Sequence, residues 1–323
     1  MNAAVTLLDV LEARKAIASY LRPTPLLSYP ALDRAIGARV FVKREDVQPI
    51  GSFKIRGGVN LLVHLSDQER RRGLITASTG NHGQSIARAC ALFGAHCVVV
   101  VPEGANPLKV RAMEDQRAEV VFHGEAYDEA REYAEELARR DGMRFVHPSD
   151  EPLLIAGVAT LTLEILEEGP DLDVLLVPLG GGSGAAGACV VAAGLGGRTA
   201  VIAVQSDAAP AGYESWRAGH VVSRPNTTIA EGLATAQGYE VPQAILRELL
   251  DDFVLVSDQE LRRAVYLYLD ECRTLAEPAG AASLAGALKV RADLEGKKVG
   301  LVLSGANITL RQLEEVIEVI GNR

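Results

Sequence analysis

Cysteine is scarce and scattered in this 323-residue chain. Cys90, Cys97, Cys189 and Cys272 form no CxxC pair, so the spacing predicts neither a zinc site nor a disulfide framework. Separated thiols suit a reducing cytoplasm. No basic block is present either: 33 Lys and Arg stand against 42 Asp and Glu, a net charge of -9. With no cationic surface to release counterions, nucleic-acid phosphates and anionic membranes are excluded as expected partners, leaving small molecules or proteins. A signal-peptide core is missing, because Asp9, Glu12, Arg14 and Lys15 interrupt the apolar residues between Met1 and Tyr20. The glycosylation patterns at Asn226 and Asn307 carry no weight without export. Only Val174 to Gly197 forms a long charge-free run, and Pro178 with Gly180 to Gly182 cuts it in half. It reads as a strand, a glycine loop and a small-residue helix rather than a membrane span. Repeats, low-complexity tracts and long linkers are absent, so any two-domain split shares one continuous chain.

What is present describes an ordinary globular protein: 48% hydrophobic and 23% charged residues, with length enough for two domains or one large one. Apolar runs of strand length alternate with amphipathic runs of helix length, the signature of a parallel sheet covered on both faces. The pattern predicts strands at Val40 to Lys43, Leu74 to Ala77, Cys97 to Val101, Glu119 to Phe122, Val174 to Leu179, Ala200 to Val204, Phe253 to Val256 and Val299 to Leu303. Helical patterns fill the gaps, as at Asp128 to Arg140 and Glu260 to Glu271.

Ligands of open parallel sheets bind outside the carboxyl ends of the strands. Four turns are placed there. The first, Gly51 to Gly58, holds Lys54 after Phe53 among small residues. This suits an amine that bonds covalently to a flat aldehyde cofactor, since a partly desolvated pocket lowers a lysine pKa; by count alone an exposed helix-start lysine is the commoner reading. The second, Ser78-Thr79-Gly80-Asn81-His82-Gly83-Gln84, has more hydroxyls, amides and backbone N–H groups at a helix start than a plain cap needs, and suits a carboxylate. His82 alone fits a structural hydrogen-bonder as well as a catalyst. The third, Gly180-Gly181-Gly182-Ser183-Gly184, is the strongest anion signal, because glycines let a phosphate approach N–H groups and a helix dipole. It lacks the Lys-Ser/Thr ending of a nucleotide P-loop and the GxGxxG spacing, which favours a monophosphate over ATP or NAD. The fourth, Ser304-Gly305-Ala306-Asn307, would pass alone as a helix cap.

In order and spacing these motifs resemble the fold-type II pyridoxal-phosphate enzymes, in the branch of threonine dehydratases and serine racemases. The likeness runs from about Leu26 to about Leu310. It implies an α/β fold of the tryptophan synthase beta-like kind, with two open, mostly parallel sheets flanked by helices. The implied large cofactor domain is 1–72 with 151–323, and the small domain 73–150 carries the asparagine loop. By this resemblance Lys54 carries pyridoxal 5'-phosphate and Phe53 lies beside its ring. Asn81 bonds the phenolic oxygen, and Ser78, Thr79, Gly80, Asn81 and His82 bind the substrate. Gly180, Gly181, Gly182, Ser183 and Gly184 form the phosphate loop, with Ser183 replacing the usual fourth glycine. Ser304 faces the pyridine nitrogen, and Gly232 and Glu277 line the cofactor pocket.

The implied activity is dehydration and deamination of a β-hydroxy amino acid, L-threonine or L-serine first and 3-hydroxyaspartate behind, in a cytoplasmic enzyme of a commonly dimeric family. A serine or hydroxyaspartate racemase, with Thr79 as proton donor, is the alternative, and a non-catalytic cofactor-binding module a more remote one. Beta-replacement fits the lysine and asparagine motifs less well. Gln205 and Ala211 stand where racemases of the branch place acidic cation ligands, so no metal is expected, although Asp207 is nearby. The chain also leaves no room after Leu310 to Ile320 for the regulatory domain of biosynthetic threonine dehydratases.

Overall fold

A computed structural model describes residues 4–169 and 171–321, with side chains described to residue 318. One sheet has six strands: β1 (Leu26–Ser28), β2 (Arg39–Arg44), β7 (Val174–Pro178), β8 (Ala200–Ser206), β9 (Asp252–Val256) and β10 (Lys298–Leu303). Their order is β1-β2-β10-β7-β8-β9, parallel except for the antiparallel pair β1 and β2. The other sheet is β3 (Leu74–Ala77), β4 (Cys97–Val101), β5 (Glu119–Phe122) and β6 (Arg144–Phe145), in the order β5-β4-β3-β6 and parallel throughout.

Strand side chains alternate between the two faces, so a strand covered on both sides must be apolar at successive positions. Leu176 and Leu301 enter one buried cluster while their neighbours Leu175 and Val302 enter the opposite one. In β4, Val99 and Val101 face one core and Val98 and Val100 the other. The expected α/β architecture with two parallel-dominated sheets is therefore present. The boundaries of β3, β4 and β5 are those predicted. β7 stops at Pro178, one residue short of the expected Leu179. β1 and β6 were not anticipated, and the turn holding Lys54 does not follow a strand end directly: a short 3-10 turn, Glu45–Val47, separates it from β2.

The helix Pro152–Glu168 lies buried at the junction of these layers. It crosses the helix Lys54–His64 backbone to backbone: a Cβ on Gly157 would stand 2.7 Å from the Arg56 carbonyl oxygen, and one on Gly57 2.9 Å from that of Leu154. Only glycine allows that approach. The charge-free run after Val174 is β7 and the helix Ser183–Gly194; among the described residues no helix is long and apolar enough to cross a membrane. All four cysteines are buried and free.

Candidate active site

Lys54 opens its helix at the floor of a cavity of about 830 Å³, within the size range of small-molecule sites. Three buried charges, Lys43, Glu45 and Arg56, and the partly buried Glu164 fix the start of that helix. The Arg56 guanidinium donates to both Glu45 oxygens at 2.8 Å, to Glu164 at 2.6 and 2.8 Å and to Thr160 Oγ1 at 3.1 Å, while Lys43 pairs with Glu164 at 2.8 Å. Burial alone would raise the Glu45 carboxyl, but the Arg56 charge and hydrogen bonds hold it below its ordinary value. Among the described residues Lys54 has no acidic partner, and burial pushes its amine down to about 8. Its Nζ donates to Ser183 Oγ at 3.1 Å. The surface reading of Lys54 is thus replaced by a half-buried amine that is readily deprotonated.

The glycine turn after β7 forms one wall. A Cβ on Gly180 would stand 2.1 Å from the Gly232 carbonyl oxygen, and one on Gly181 1.8 Å from Ser149 Oγ. The N-terminus of the 12-residue helix Ser183–Gly194 opens from this turn, and Phe53 lies against Gly184, its ring 3.3 Å from a Cβ placed there. A cup too tight for side chains, with free N–H groups and a helix dipole, fits a phosphate. A deprotonatable amine beside it and an aromatic ring flanking it fit the phosphorylated aldehyde that the sequence called for.

Opposite lies the turn after β3. Ser78 is buried, and its Oγ accepts from the Gly80 and Gly83 N–H groups at 3.2 and 3.0 Å. Thr79 and Gly80 line the cavity beside it. Asn81 donates to Glu277 Oε1 at 2.6 Å and accepts from Asn307 Nδ2 at 2.6 Å, which joins the second and fourth turns to the Glu277 segment. Burial pushes the Glu277 carboxyl up, with the Lys109 charge and the Asn81 amide pulling it back. Ser304 lines the cavity at 6% exposure. His82 is a structural hydrogen-bonder here. Its Nε2 lies 3.0 Å from Thr76 Oγ1, and burial, with the Lys54 charge adding, pushes it down to about 3. Gln205 is buried, its Oε1 accepting from the Tyr213 N–H at 2.9 Å.

Every residue named for the site from sequence lines this one cavity. A family model for pyridoxal-phosphate dependent enzymes matches residues 17–305. The chain belongs to that family. Its cofactor is accordingly pyridoxal phosphate, and the protein is an enzyme. Among its relatives is L-threonine ammonia-lyase of Thermotoga maritima, 35% identical over 97% of this chain and 78% of that protein. L-threo-3-hydroxyaspartate ammonia-lyase of Saccharomyces cerevisiae is 37% identical over 96% of this chain and 95% of that one. Among solved structures, serine racemase from Dictyostelium discoideum superposes with a TM-score of 0.90 at 32% identity, over 95% of this chain and all of that one.

The sequence reading missed several lining residues, among them Lys109, Arg131, Ser149, Arg224, Glu231 and Tyr239. Lys109 and Ser149 lie just past the carboxyl ends of β4 and β6, so the rule that nominated the other turns would have reached them.

Proposed function

We propose that the protein is a dehydratase that converts a β-hydroxy amino acid, L-threonine first and L-serine with it, to a 2-oxo acid and ammonia. The observation that carries this reading is the Lys54 amine, lowered to about 8 and sharing one cavity with the glycine turn Gly180–Gly184 and the polar turn Ser78–His82. Bound there, the cofactor supplies an electron sink next to the amino acid's α carbon. Gly180 to Gly184 would hold its phosphate, and Phe53, Asn81, Gly232, Glu277 and Ser304, which line the cavity, would surround its ring. Ser304, which lines the cavity, would offer the ring a hydroxyl where a carboxylate would enforce ring protonation. The turn from Ser78 to His82 takes the substrate carboxylate. Lys54 Nζ, its amine readily unprotonated, would be the base that takes the α proton. The β-hydroxyl leaves with a proton as water, and a water returned on hydrolysis releases ammonia and balances the sum.

A second reading, 3-hydroxyaspartate as substrate, is supported by Arg131. It lines the cavity and is paired with Glu135 at 2.6 Å, with Asp128 3.7 Å from its Nε, but that buried Nε makes no hydrogen bond among the described residues, so a second carboxylate has one guanidinium N–H on that wall. The yeast relative's name points the same way. Release of 2-oxo acid from L- and D-threonine, serine and 3-hydroxyaspartate, with Lys54→Ala as control, tests both; activity retained in Lys54→Ala overturns the mechanism. We further place residues 1–72 with 151–323 in a cofactor domain and 73–150 in a small domain, in a cytoplasmic homodimer. Sedimentation of the purified enzyme checks the assembly.

A further inference from the structure

Lys109 has no part in the chemistry above, yet it is only 6% exposed and lines the cavity. It sits in the first turn of the helix Pro107–Glu114, on the side of the four-stranded sheet, and its ammonium pairs with the carboxylate of Glu231. Glu231 opens the 3-10 turn Glu231–Leu233, between β8 and β9 of the six-stranded sheet. At one end of this pair, Lys109 Nζ stands 3.8 Å from where a Cβ of Gly80 would be. At the other, Glu231 adjoins Gly232, whose carbonyl oxygen presses on Gly180. The pair therefore bridges the turn proposed for the substrate carboxylate and the cup proposed for the phosphate, from opposite sides of the cavity.

We propose that Lys109 and Glu231 act as one positioning pair that sets the Ser78–Asn81 turn for the α-carboxylate of the amino-acid substrate. An exposed pair would contribute little. Here the ammonium is almost wholly buried although Glu231 is 37% exposed, and removing Glu231 takes away its only hydrogen-bonded counter-charge among the described residues, leaving the Glu277 carboxyl as a more distant one. Gln312 Nε2 donates to the other Glu231 oxygen at 3.5 Å, so the carboxylate is held from a third segment. Neither residue needs to touch the reacting atoms for this role.

This inference rests on the amino-acid reading of the cavity, and glycine separates the two, since it has an α-carboxylate but no β-hydroxyl to lose. Glycine is titrated into cofactor-loaded wild type, Lys109→Met, Glu231→Gln and the double variant, and its binding is read from the cofactor's visible absorbance. Each single change is expected to weaken glycine about tenfold, the size of a lost charge-assisted hydrogen bond, and the double change no more than either. Lys109→Arg should recover part of the loss. Cofactor affinity stays at the wild-type value, and with any substrate that turns over KM rises while kcat holds. Losses that multiply in the double variant, an unchanged glycine affinity in either single variant, or a parallel fall in cofactor affinity would overturn the pair. If the wild type turns over no β-hydroxy amino acid, the dehydratase reading fails while the glycine titration still decides this one.

Discussion

The amine of Lys54 and the hydroxyl of Ser183 lie 3.1 Å apart, across 129 positions of sequence. Ser183 stands at the head of its helix, where the resemblance assigns a glycine that only has to admit a phosphate. Its side chain reaches the lysine as well. One hydroxyl thus borders both groups that are to hold the cofactor, and Ser183→Ala should weaken cofactor affinity about two- to tenfold, as for a single hydrogen bond. Equilibrium dialysis of pyridoxal phosphate measures it; unchanged affinity removes Ser183 from the site.

The lowered amine of Lys54 sets a pH profile. With its pKa near 8 rather than 10.5, the unprotonated fraction rises about tenfold per pH unit below 8 and saturates above. Uptake of pyridoxal phosphate by cofactor-free enzyme, followed by visible absorbance, should rise with that slope and level off near pH 8. An inflection near pH 10 would show that burial does not act on this amine.

Gly181→Ala places a methyl group 1.8 Å from Ser149 Oγ, too close for either turn to keep its position. The change should lower stability by about 1–3 kcal/mol, the usual range for overpacking, and weaken the cofactor more than tenfold. Ser149→Gly in the same chain removes the obstructing atom and should restore part of both in thermal melts and dialysis. No restoration would mean that the strain lies elsewhere.

Glu45 is held below its ordinary value by Arg56, so its stabilisation is complete above the unfolded carboxyl pKa near 4.5 and fades as the pH falls below that. Urea unfolding should show wild type progressively losing its advantage over Glu45→Gln as the pH falls below about 4.5. Arg56→Met, which strands buried carboxylates, should cost about 3–5 kcal/mol at neutral pH. An acid-insensitive difference between wild type and Glu45→Gln would sink the assignment.

Thr79 decides whether racemisation accompanies deamination. If its hydroxyl delivers a proton to the face opposite Lys54, Thr79→Ala should lower D-serine formation about a hundredfold while 2-oxo acid release falls far less. Equal loss of the two leaves Thr79 as a carboxylate contact alone.

The sheet strands were legible where burial leaves its mark on composition. β3 and β4 follow their predicted limits because each is a fully buried, mostly apolar run between turn residues, while β5, with no buried residue, was legible from its β-branched and aromatic run alone. β1 and β6 leave no such mark. Leu26–Ser28 is largely exposed and becomes a strand only by lying along β2, and Arg144–Phe145 is two residues recruited by β3. The same division runs through the cavity. The glycine cup and the lysine turn are unusual in composition and could be read directly, whereas Lys109, Ser149 and Glu231 are ordinary residues whose meaning comes from what the fold sets beside them. His82 marks another case: its type alone fitted a structural hydrogen-bonder as well as a catalyst, and its surroundings hold it neutral.

The place of β10 carries a consequence for how the molecule is made. It is the last strand in the chain but sits inside the six-stranded sheet, between β2 and β7, and Ser304 and Asn307 follow directly from it. β2 and β7 are joined only through β10, so during synthesis the two parts of the sheet stay unconnected until this segment leaves the ribosome. A ribosome-bound chain ending before residue 298 should therefore expose the edges of an unfinished sheet, invite chaperones and capture no cofactor, so that acquisition of pyridoxal phosphate reports the completion of translation.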